Sequence, residues 1–477
     1  MELLAPTSEA GQLLKHTLGR CPVCRASCPA QVWRRDGKIF LRRHCAEHGE
    51  AEACISSDAR FYWLAKGDPR NEESANGCGN ACRASDGAVR GTLGRNASGK
   101  GDGPFEKLST CLALIEIVNS CNLACPTCYA NSPVGAGQNV DAIPLADLQR
   151  RIQGVIDRKG GIEILQLSGG EPTLHPQFFE LLDWARKNPG IDYLLLNTNG
   201  VRIANDGAFA EQLSRSFDYG GLQLYLQFDG VQLEGQHFLR GADLRETRRR
   251  AVERCAEMNL PITLAMTVTP DNLPHLWEAI AFGLEYPHVR GVAFQPMFGS
   301  GRLPANASVR LNTADIILAA VAQSDGRLRF EDFTPLPCGD PNCATIGYLL
   351  KANGRTYSIS DFIDFAQVQG FLRDKVRYKL EDLMKCGCDS EPLGELLREF
   401  ELNETNTFRL FIKPFMDAGT WDEDRIDRCC THVIRPDGKL DSFCRYYSGF
   451  ADARVAPDNS ESTPCACNDL APQGAAV

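Results

Sequence analysis

The pattern of apolar and polar residues changes near residue 110 of the chain. Before that point, two short extended runs, Gln31–Trp33 and Lys38–Leu41, stand on either side of the pair Asp36–Gly37. Asp-Gly is a frequent pair at the tight turn of a β-hairpin, because glycine adopts the left-handed backbone that such a turn needs. The first hundred residues are therefore predicted to contain a hairpin, and Gly87–Gly103 is predicted to be a linker.

After residue 110, short apolar runs alternate with amphipathic stretches as far as about residue 330. Repeated strand–helix units predict parallel strands joined by right-handed crossovers. The predicted strands are Leu112–Val118, Ile162–Leu167, Tyr193–Asn197, Leu222–Phe228, Ile262–Val268 and Val289–Phe294. The predicted helices are Leu145–Arg158, Gln177–Lys187, Arg245–Met258, Leu273–Leu284 and Thr313–Gln323, with Asn312 as the cap of the last.

Length, charge and cysteine content narrow the class of protein. A chain of 477 residues favours more than one domain, and we expect regions at residues 1–105, 106–330 and 331–477. The net charge of -10 argues against a general nucleic-acid binder. The start, Met1–Pro6, lacks the pattern of an export signal, and no run reaches the ~18 apolar residues of a membrane span. We therefore expect a cytoplasmic protein whose 21 cysteines are mainly metal ligands rather than disulfides.

The most informative cysteines are Cys121, Cys125 and Cys128, on a loop directly after the predicted strand Leu112–Val118. Soft thiolates select iron, copper or zinc over hard cations. Three thiolates within eight residues can hold three corners of a [4Fe–4S] cluster, whereas four usually close one. The fourth iron would then be open to a small molecule. A zinc knuckle and one half of a two-cluster ferredoxin are the alternatives for this spacing.

A glycine turn follows the next predicted strand, in the order Ser168, Gly169, Gly170, Glu171, Pro172. Glycines let a backbone approach a ligand closely, and the Glu171 carboxylate can accept a hydrogen bond from an ammonium group. The cysteine loop followed by this turn resembles the radical S-adenosylmethionine (radical SAM) superfamily. The resemblance implies an open (β/α)6 barrel of the TIM type, in which the methionine moiety chelates the open iron and the turn holds its amino group. Thr127 departs from the pattern, since many members carry an aromatic residue there.

Polar residues lie at the carboxyl ends of other predicted strands. The resemblance implies that residues in these places contact the ribose and adenine of the cofactor. The residues in these places are Asn197, Asn199 and Gln295. The alternative for any one of them is a turn residue that satisfies its own backbone. We expect all three at the mouth of the barrel, because active sites of such barrels lie at the carboxyl ends of the strands.

The N-terminal region offers a second metal site. Cys21 and Cys24 precede the predicted hairpin, and Cys45 and His48 follow it. Such a frame can hold a tetrahedral zinc or a mononuclear iron, with His48 as a ligand or as a support for one. Four further cysteines complicate the choice of ligands or have no assigned role, namely Cys28, Cys54, Cys78 and Cys82.

The C-terminal region contains the cysteines of a third predicted site, an auxiliary [4Fe–4S] cluster held by Cys338, Cys343, Cys429 and Cys444. The spacing between these residues is too long to be specific. Phe362–Met384 is predicted to be a core-packing helix, with a cover over an apolar substrate channel as the alternative. The cysteines of this region without an assigned role are Cys386, Cys388, Cys430, Cys465 and Cys467.

Motif blocks between residues 21 and 444 are also similar to the archaeal tetraether lipid synthase group. They include Cys-Asn-Leu-x-Cys-Pro-x-Cys, Ser-Gly-Gly-Glu-Pro-Thr-Leu-His-Pro and Leu-Gln-Phe-Asp-Gly. This resemblance implies hydrogen abstraction from an unactivated C–H bond of a lipid or isoprenoid chain by a 5′-deoxyadenosyl radical, followed by C–C bond formation. Ser85 stands where the group has a further cysteine.

The implied partners are an electron donor of the flavodoxin or ferredoxin type and the substrate. A lipid substrate would bring the cytoplasmic enzyme to the inner surface of the membrane. A maturase that modifies a peptide or a small metabolite is the alternative enzyme. A non-catalytic iron–sulfur or zinc scaffold is the alternative from another class, although Glu171 and its glycines have no purpose there.

Overall fold

The N-terminal part is a small antiparallel sheet. The computed structural model describes residues 11–64, 110–135, 137–217, 220–304, 310–336, 339–352, 354–361 and 406–450. The four strands, paired in sequence order, are Gln12–Arg20 (β1), Ser27–Arg35 (β2), Lys38–Cys45 (β3) and Gly49–Ser56 (β4). Asp36 and Gly37 have φ angles of 50° and 69°, so the left-handed turn predicted between β2 and β3 is confirmed.

All six strands predicted after residue 110 are present and parallel, and every end lies within two residues of the prediction. They pair in sequence order, as a partial TIM-type barrel requires. These strands are Leu112–Val118 (β5), Ile162–Gly169 (β6), Ile191–Thr198 (β7), Leu222–Gln227 (β8), Ile262–Val268 (β9) and Val289–Pro296 (β10).

The later strands continue the same sheet. In the described part of residues 331–477, they are Phe333–Pro335 (β11), Thr345–Ala352 (β12), Arg355–Ser358 (β13), Thr407–Ile412 (β14), Thr431–Ile434 (β15) and Leu440–Ser442 (β16). Strand β14 adds to β10 and strand β15 adds to β5, both in parallel. The Lys413 Nζ atom donates to Thr431 Oγ1 at 2.6 Å, so the two outer parallel strands approach each other. The three domain boundaries stay a prediction.

The helices cover the strands as the periodicity predicts. They are Leu145–Lys159 (α1), Phe178–Lys187 (α2), Val201–Asn205 (α3), Gly207–Arg215 (α4), Gln236–Arg240 (α5), Arg245–Glu257 (α6), Leu276–Leu284 (α7), Thr313–Gln323 (α8), Glu423–Asp427 (α9) and Phe443–Tyr447 (α10). Short 3₁₀ turns occur at Ala59–Phe61, Gly137–Asn139, Pro172–Leu174, Leu273–His275, Phe330–Asp332 and Ile359–Asp361. No helix in the described ranges is long and apolar enough to cross a membrane. The predicted helix Phe362–Met384 lies outside the described residues.

Side chains on alternate positions of the parallel strands have different surroundings. Leu222, Leu224 and Leu226 of β8 are buried in the main hydrophobic core. Between them, Gln223 hydrogen-bonds across the sheet, since its amide donates to Thr263 and accepts from Tyr193. The period of two along the strand therefore separates an apolar, helix-facing side from a hydrogen-bonded polar side.

The N-terminal sheet docks on the rest of the chain through polar contacts. Lys15 Nζ lies 2.8 Å from carboxylate oxygens of both Asp422 and Asp424. The Ser57 N–H donates to Asn312 Oδ1 at 3.2 Å, at the start of α8. Asn312 also caps α8 by accepting from the backbone of its first turn, so one side chain joins two parts of the fold.

We predict that Asn312→Ala lowers the free energy of unfolding by about 1–2 kcal/mol, because the helix loses its cap. The measurement is urea unfolding of the anaerobic protein followed by circular dichroism. Asn312→Asp is the matched control, since its carboxylate keeps the acceptor and should retain most of the stability. An unchanged midpoint for the alanine variant would contradict the role given to this cap.

Candidate active site and metal centres

A cleft at the carboxyl ends of the strands brings the predicted residues together. It contains about 970 Å³ of empty space, part of it open to solvent. Nine of the predicted residues line it, namely Cys121, Cys125, Cys128, Gly169, Gly170, Glu171, Asn197, Asn199 and Gln295. Ser168 and Pro172 are buried and are not among its lining residues. The residues predicted from the sequence therefore lie together in one cleft, which is formed by loops from distant segments of the chain.

The cysteine loop is held by an arginine that the sequence did not single out. Arg302 Nε donates to the backbone carbonyl of Cys125 at 2.7 Å, and its guanidinium also reaches the carbonyl of Ser132. The backbones of Arg302 and Cys128 exchange two hydrogen bonds. Because an arginine can donate five hydrogen bonds in a fixed plane, one residue from a distant segment of the chain orders the loop.

The thiol of Cys121 has the surroundings of a metal ligand. Its sulfur accepts from the Leu123 N–H at 3.4 Å and from Asn199 Nδ2 at 3.7 Å. Burial raises the pKa of the Cys121 thiol to about 12. A bound cation would reverse this preference, because metal binding stabilises the thiolate and releases the proton.

The two glycines of the turn are required by the protein backbone. A Cβ atom on Gly169, whose φ is +121°, would lie 2.2 Å from the carbonyl oxygen of Val118. A Cβ atom on Gly170 would lie 2.0 Å from the carbonyl oxygen of Ser120. These glycines therefore allow the ends of β5 and β6 to meet, and their close approach to a ligand stays a prediction.

The Glu171 carboxylate forms hydrogen bonds within the protein. Its carboxylate accepts from the backbone and hydroxyl of Thr173, from the hydroxyl of Thr198 at 2.7 Å and from the Asn199 N–H at 2.7 Å. Burial raises its pKa, and the hydrogen bonds oppose that rise. The expected contact of Glu171 with an ammonium group stays a prediction. Its carboxylate fixes the loop that carries Asn199.

The side chain of each of the three predicted nucleoside contacts hydrogen-bonds to at least one other side chain of the protein. Asn197 Nδ2 donates to Ser168 Oγ at 3.1 Å, and Asn199 Nδ2 donates to Asn122 Oδ1 at 2.7 Å. Gln295 Nε2 donates to the Tyr225 hydroxyl at 2.9 Å. These bonds set the orientation of the amides at the cleft surface. Their contact with a nucleoside stays a prediction.

A buried ion triad lies beside Cys125. Asp229 is fully buried, and its Oδ2 lies 2.6 Å from Arg240 Nε and 3.0 Å from Arg248 Nη1. Burial opposes ionisation, yet the two guanidinium groups lower the pKa of Asp229 to about 2. Both arginines also interact electrostatically with Cys125, and Arg248 keeps two nitrogens without a partner among the described residues.

Two cations and one carboxylate leave an uncompensated positive charge at the cysteine loop. Burial of unpaired charge is costly, so an anionic group at this place would stabilise the site. A thiolate-ligated iron–sulfur cluster is such a group, and N–H donors to its sulfurs tune it further. The residues present therefore fit a [4Fe–4S] cluster.

The N-terminal sheet forms a compact metal site. The ligand atoms of Cys21, Cys24, Cys45 and His48 all lie within 4.8 Å of one another, the one such group in the described ranges. The hydrogen bond from His48 lowers the pKa of Cys45 to about 6. Cys54 is not in this group and instead contacts the carbonyl of Ser56. His48 thus completes a tetrahedral set suited to zinc or a single iron.

Four half-buried or buried cysteines also gather between the outer strands of the parallel sheet. Cys343, Cys429, Cys430 and Cys444 interact electrostatically, and burial raises the pKa of each thiol. The sequence gave Cys430 no role, whereas Cys338 lies outside the described residues. A four-iron cluster is wider than a single ion, so its ligands need not lie as close as those of the N-terminal site. The ligand set of an auxiliary cluster stays a prediction.

Comparisons with known proteins agree with this geometry. The sequence model of the Radical SAM superfamily matches residues 115–283, and that of the HMPTM N-terminal zinc ribbon domain matches residues 13–57. The chain is 28% identical to 7,8-dihydro-6-hydroxymethylpterin dimethyltransferase of Methanocaldococcus jannaschii, over 91% of this chain and 93% of the relative. It is 29% identical to the mycofactocin maturase MftC of Mycobacterium tuberculosis, but spans 41% of that relative.

A solved structure of Streptococcus suis SuiB bound to S-adenosylmethionine is 15% identical, with a TM-score of 0.33 over 57% of this chain and 62% of that one. Sheet topology, cleft and family match together define a radical SAM domain behind an N-terminal zinc ribbon. The protein is a radical SAM enzyme, and its cofactors are a [4Fe–4S] cluster and S-adenosylmethionine.

We predict that Cys45→Ser removes about one equivalent of ribbon metal, because a tetrahedral site loses one of its four ligands. Metal content measured by mass spectrometry on purified protein checks this. Cys54→Ser is the matched control and should keep the wild-type content. Loss of metal from Cys54→Ser, but not from Cys45→Ser, would contradict the assigned ligands.

We predict that Asp229→Asn lowers the free energy of unfolding by about 3–5 kcal/mol, because two buried guanidinium groups lose their counter-charge. Asp229→Glu tests whether a negative charge at this position is enough to keep the free energy of unfolding. The folded-state pKa of Asp229 is depressed, so its stabilisation is present above the unfolded value near 4 and is lost as pH falls towards about 2. Denaturation of the metal-free protein across this range measures both effects, and an asparagine variant with the wild-type pH profile would contradict them.

Proposed function

We propose that the protein abstracts one hydrogen atom from each of two unactivated C–H groups of lipid or isoprenoid chains, each taken up by one 5′-deoxyadenosyl radical, and joins the two carbons by a C–C bond. The observation that carries this proposal is the mixed character of the cleft. Beside its polar amides, the cleft is lined by apolar and aromatic side chains, namely Leu123, Tyr129, Met297, Phe298 and Leu303. An apolar surface can hold a substrate that offers only C–H groups, and it excludes water from a reactive species.

The proposed roles follow from the contacts. Cys121, Cys125 and Cys128 would hold the [4Fe–4S] cluster, which together with S-adenosylmethionine supplies a 5′-deoxyadenosyl radical. Asn197, Asn199 and Gln295 would orient the nucleoside, since their amides already have fixed directions. Through its bond to the Asn199 N–H, Glu171 keeps that loop in place.

The wider assignments are proposals too. Cys343, Cys429 and Cys444, with Cys338, would hold an auxiliary [4Fe–4S] cluster, and the proximity of Cys430 makes it a further candidate ligand. The zinc ribbon would hold zinc or one iron through Cys21, Cys24, Cys45 and His48. We place the enzyme in the cytoplasm, in contact with the inner membrane surface and with a flavodoxin- or ferredoxin-type electron donor.

A second candidate function is methylation of a pterin-class metabolite. The similarity to the pterin dimethyltransferase favours it, because that similarity includes the zinc ribbon and covers 91% of this chain. At 28% identity, the two proteins can differ in the residues that contact substrate. A compact, polar ring would need hydrogen-bond partners in the cleft, whereas a chain would need none.

We predict that Cys125→Ala abolishes formation of 5′-deoxyadenosine from S-adenosylmethionine in the reduced, anaerobic enzyme, because the cluster loses one of three ligands. Cys255→Ala is the matched control, since Cys255 is buried in α6 and its removal leaves the cleft intact. Liquid chromatography of the products measures both variants. Full cleavage activity in Cys125→Ala would refute the cluster assignment.

The same assay distinguishes the two substrates. With a perdeuterated isoprenoid lipid, the proposal expects deuterium in 5′-deoxyadenosine and a product with a new C–C bond. With a pterin alone, it expects no methylated pterin. Two results together would favour the second candidate. These are formation of methylated pterin in the assay with pterin, and 5′-deoxyadenosine without deuterium in the assay with the labelled lipid.

A further inference from the structure

Two cationic side chains face the cysteines that gather between the outer strands. Lys413 directly follows β14, and its Nζ atom donates to Thr431 Oγ1 at 2.6 Å, one residue beyond Cys430. Lys413 interacts electrostatically with Cys343, Cys430 and Cys444. It therefore brings a positive charge close to three of the four thiols in this group.

Arg425 approaches the same group from helix α9. Its Nη2 atom lies 3.7 Å from the Cys343 sulfur and donates to the Asn342 carbonyl at 2.8 Å. The side chain is buried, and its Nε atom has no hydrogen-bond partner among the described residues. A buried guanidinium with an unused donor favours an anionic group beside it.

The two cations differ in their counter-charges. Arg425 Nε lies 3.8 Å from Asp340 Oδ1, so this guanidinium has a carboxylate close by. The Lys413 Nζ atom instead lies 6.0 Å from the ring centroid of Phe411 and 5.6 Å from that of Phe415. Within the described part of the chain, Lys413 forms no ion pair with a carboxylate. Its positive charge is therefore left to the thiols.

The other surroundings of the thiols fit an iron–sulfur cluster. The Met416 N–H donates to the Cys444 sulfur at 3.3 Å. A Cβ atom on Gly339, which follows Cys338 in the sequence, would lie 3.2 Å from the Cys430 sulfur, so glycine lets this segment approach the thiol. A thiolate-ligated cluster carries negative charge, and N–H donors and cations around it stabilise that charge.

We infer that Lys413 and Arg425 raise the reduction potential of the auxiliary [4Fe–4S] cluster and so make it an electron acceptor within the enzyme. One electron from the flavodoxin- or ferredoxin-type donor adds one negative charge to the cluster, without making or breaking a covalent bond, and nearby cations stabilise that charge. The inference rests on the auxiliary cluster of the proposed function, and not on the lipid substrate. Both residues are positioning residues, because they act through the cluster.

The test is a potentiometric titration of the anaerobic, metal-loaded protein, followed by electron paramagnetic resonance. In a background variant with Cys121→Ala, Cys125→Ala and Cys128→Ala, only the auxiliary cluster gives a [4Fe–4S] signal. Lys413→Met in this background should lower the midpoint potential, with a roughly tenfold shift of the reduction equilibrium, or about 59 mV for one electron. Arg425→Gln should shift the potential in the same direction, so the test does not depend on one variant.

Two control variants separate charge from packing. Lys413→Arg keeps the charge and should keep the potential of the background variant. Lys351→Met removes a half-buried lysine elsewhere in the sheet, whose Nζ atom donates to the Val289 carbonyl, and should leave the potential unchanged.

Three results would overturn the inference. The first is an unchanged potential in Lys413→Met or Arg425→Gln, and the second is an equal shift in Lys351→Met. The third is the absence of any [4Fe–4S] signal from the background variant when circular dichroism shows that it is folded. Each of these results leaves the radical cluster and the proposed chemistry in the cleft standing.

Discussion

The contact between the ends of β5 and β6 is the constraint on which the site depends. The Gly170 N–H donates to Val118 and the Glu171 N–H donates to Ser120, at 2.8 and 3.0 Å. Neither bond could form at this separation if Gly170 carried a Cβ atom. The contact places Cys121, which follows Ser120, beside the loop that Glu171 holds. The thiol loop and the proposed cofactor loop are therefore one connected unit.

Charge balance at the cysteine loop is the second feature on which the site depends. Asp229 neutralises one of two buried guanidinium groups, and the remaining positive charge lies next to Cys125. The free protein therefore has a site prepared for an anionic group, at a cost in its own stability. Arg302 holds the same loop through hydrogen bonds to its backbone carbonyls. These arginines come from three different segments, so the site exists only in the folded chain.

Sequence periodicity predicted all six parallel strands, because their apolar runs and the helices between them are local features. It also located the cleft, because parallel strands put their carboxyl ends on one edge. It missed Arg240 and Arg302, which have no local motif and act through contacts made only after folding. It did not foresee that β14 and β15 extend the sheet, since both depend on pairing with strands far away in the chain.

Three thiolates are expected to leave one iron of the [4Fe–4S] cluster open to S-adenosylmethionine. Electron–nuclear double resonance on the reduced enzyme tests it most directly, with isotopic labels on the amino nitrogen and carboxylate oxygen of the cofactor. Direct chelation predicts strong hyperfine coupling of both labels to the cluster. A cluster signal without coupling to either label, as a fourth protein thiolate would produce, would contradict the account.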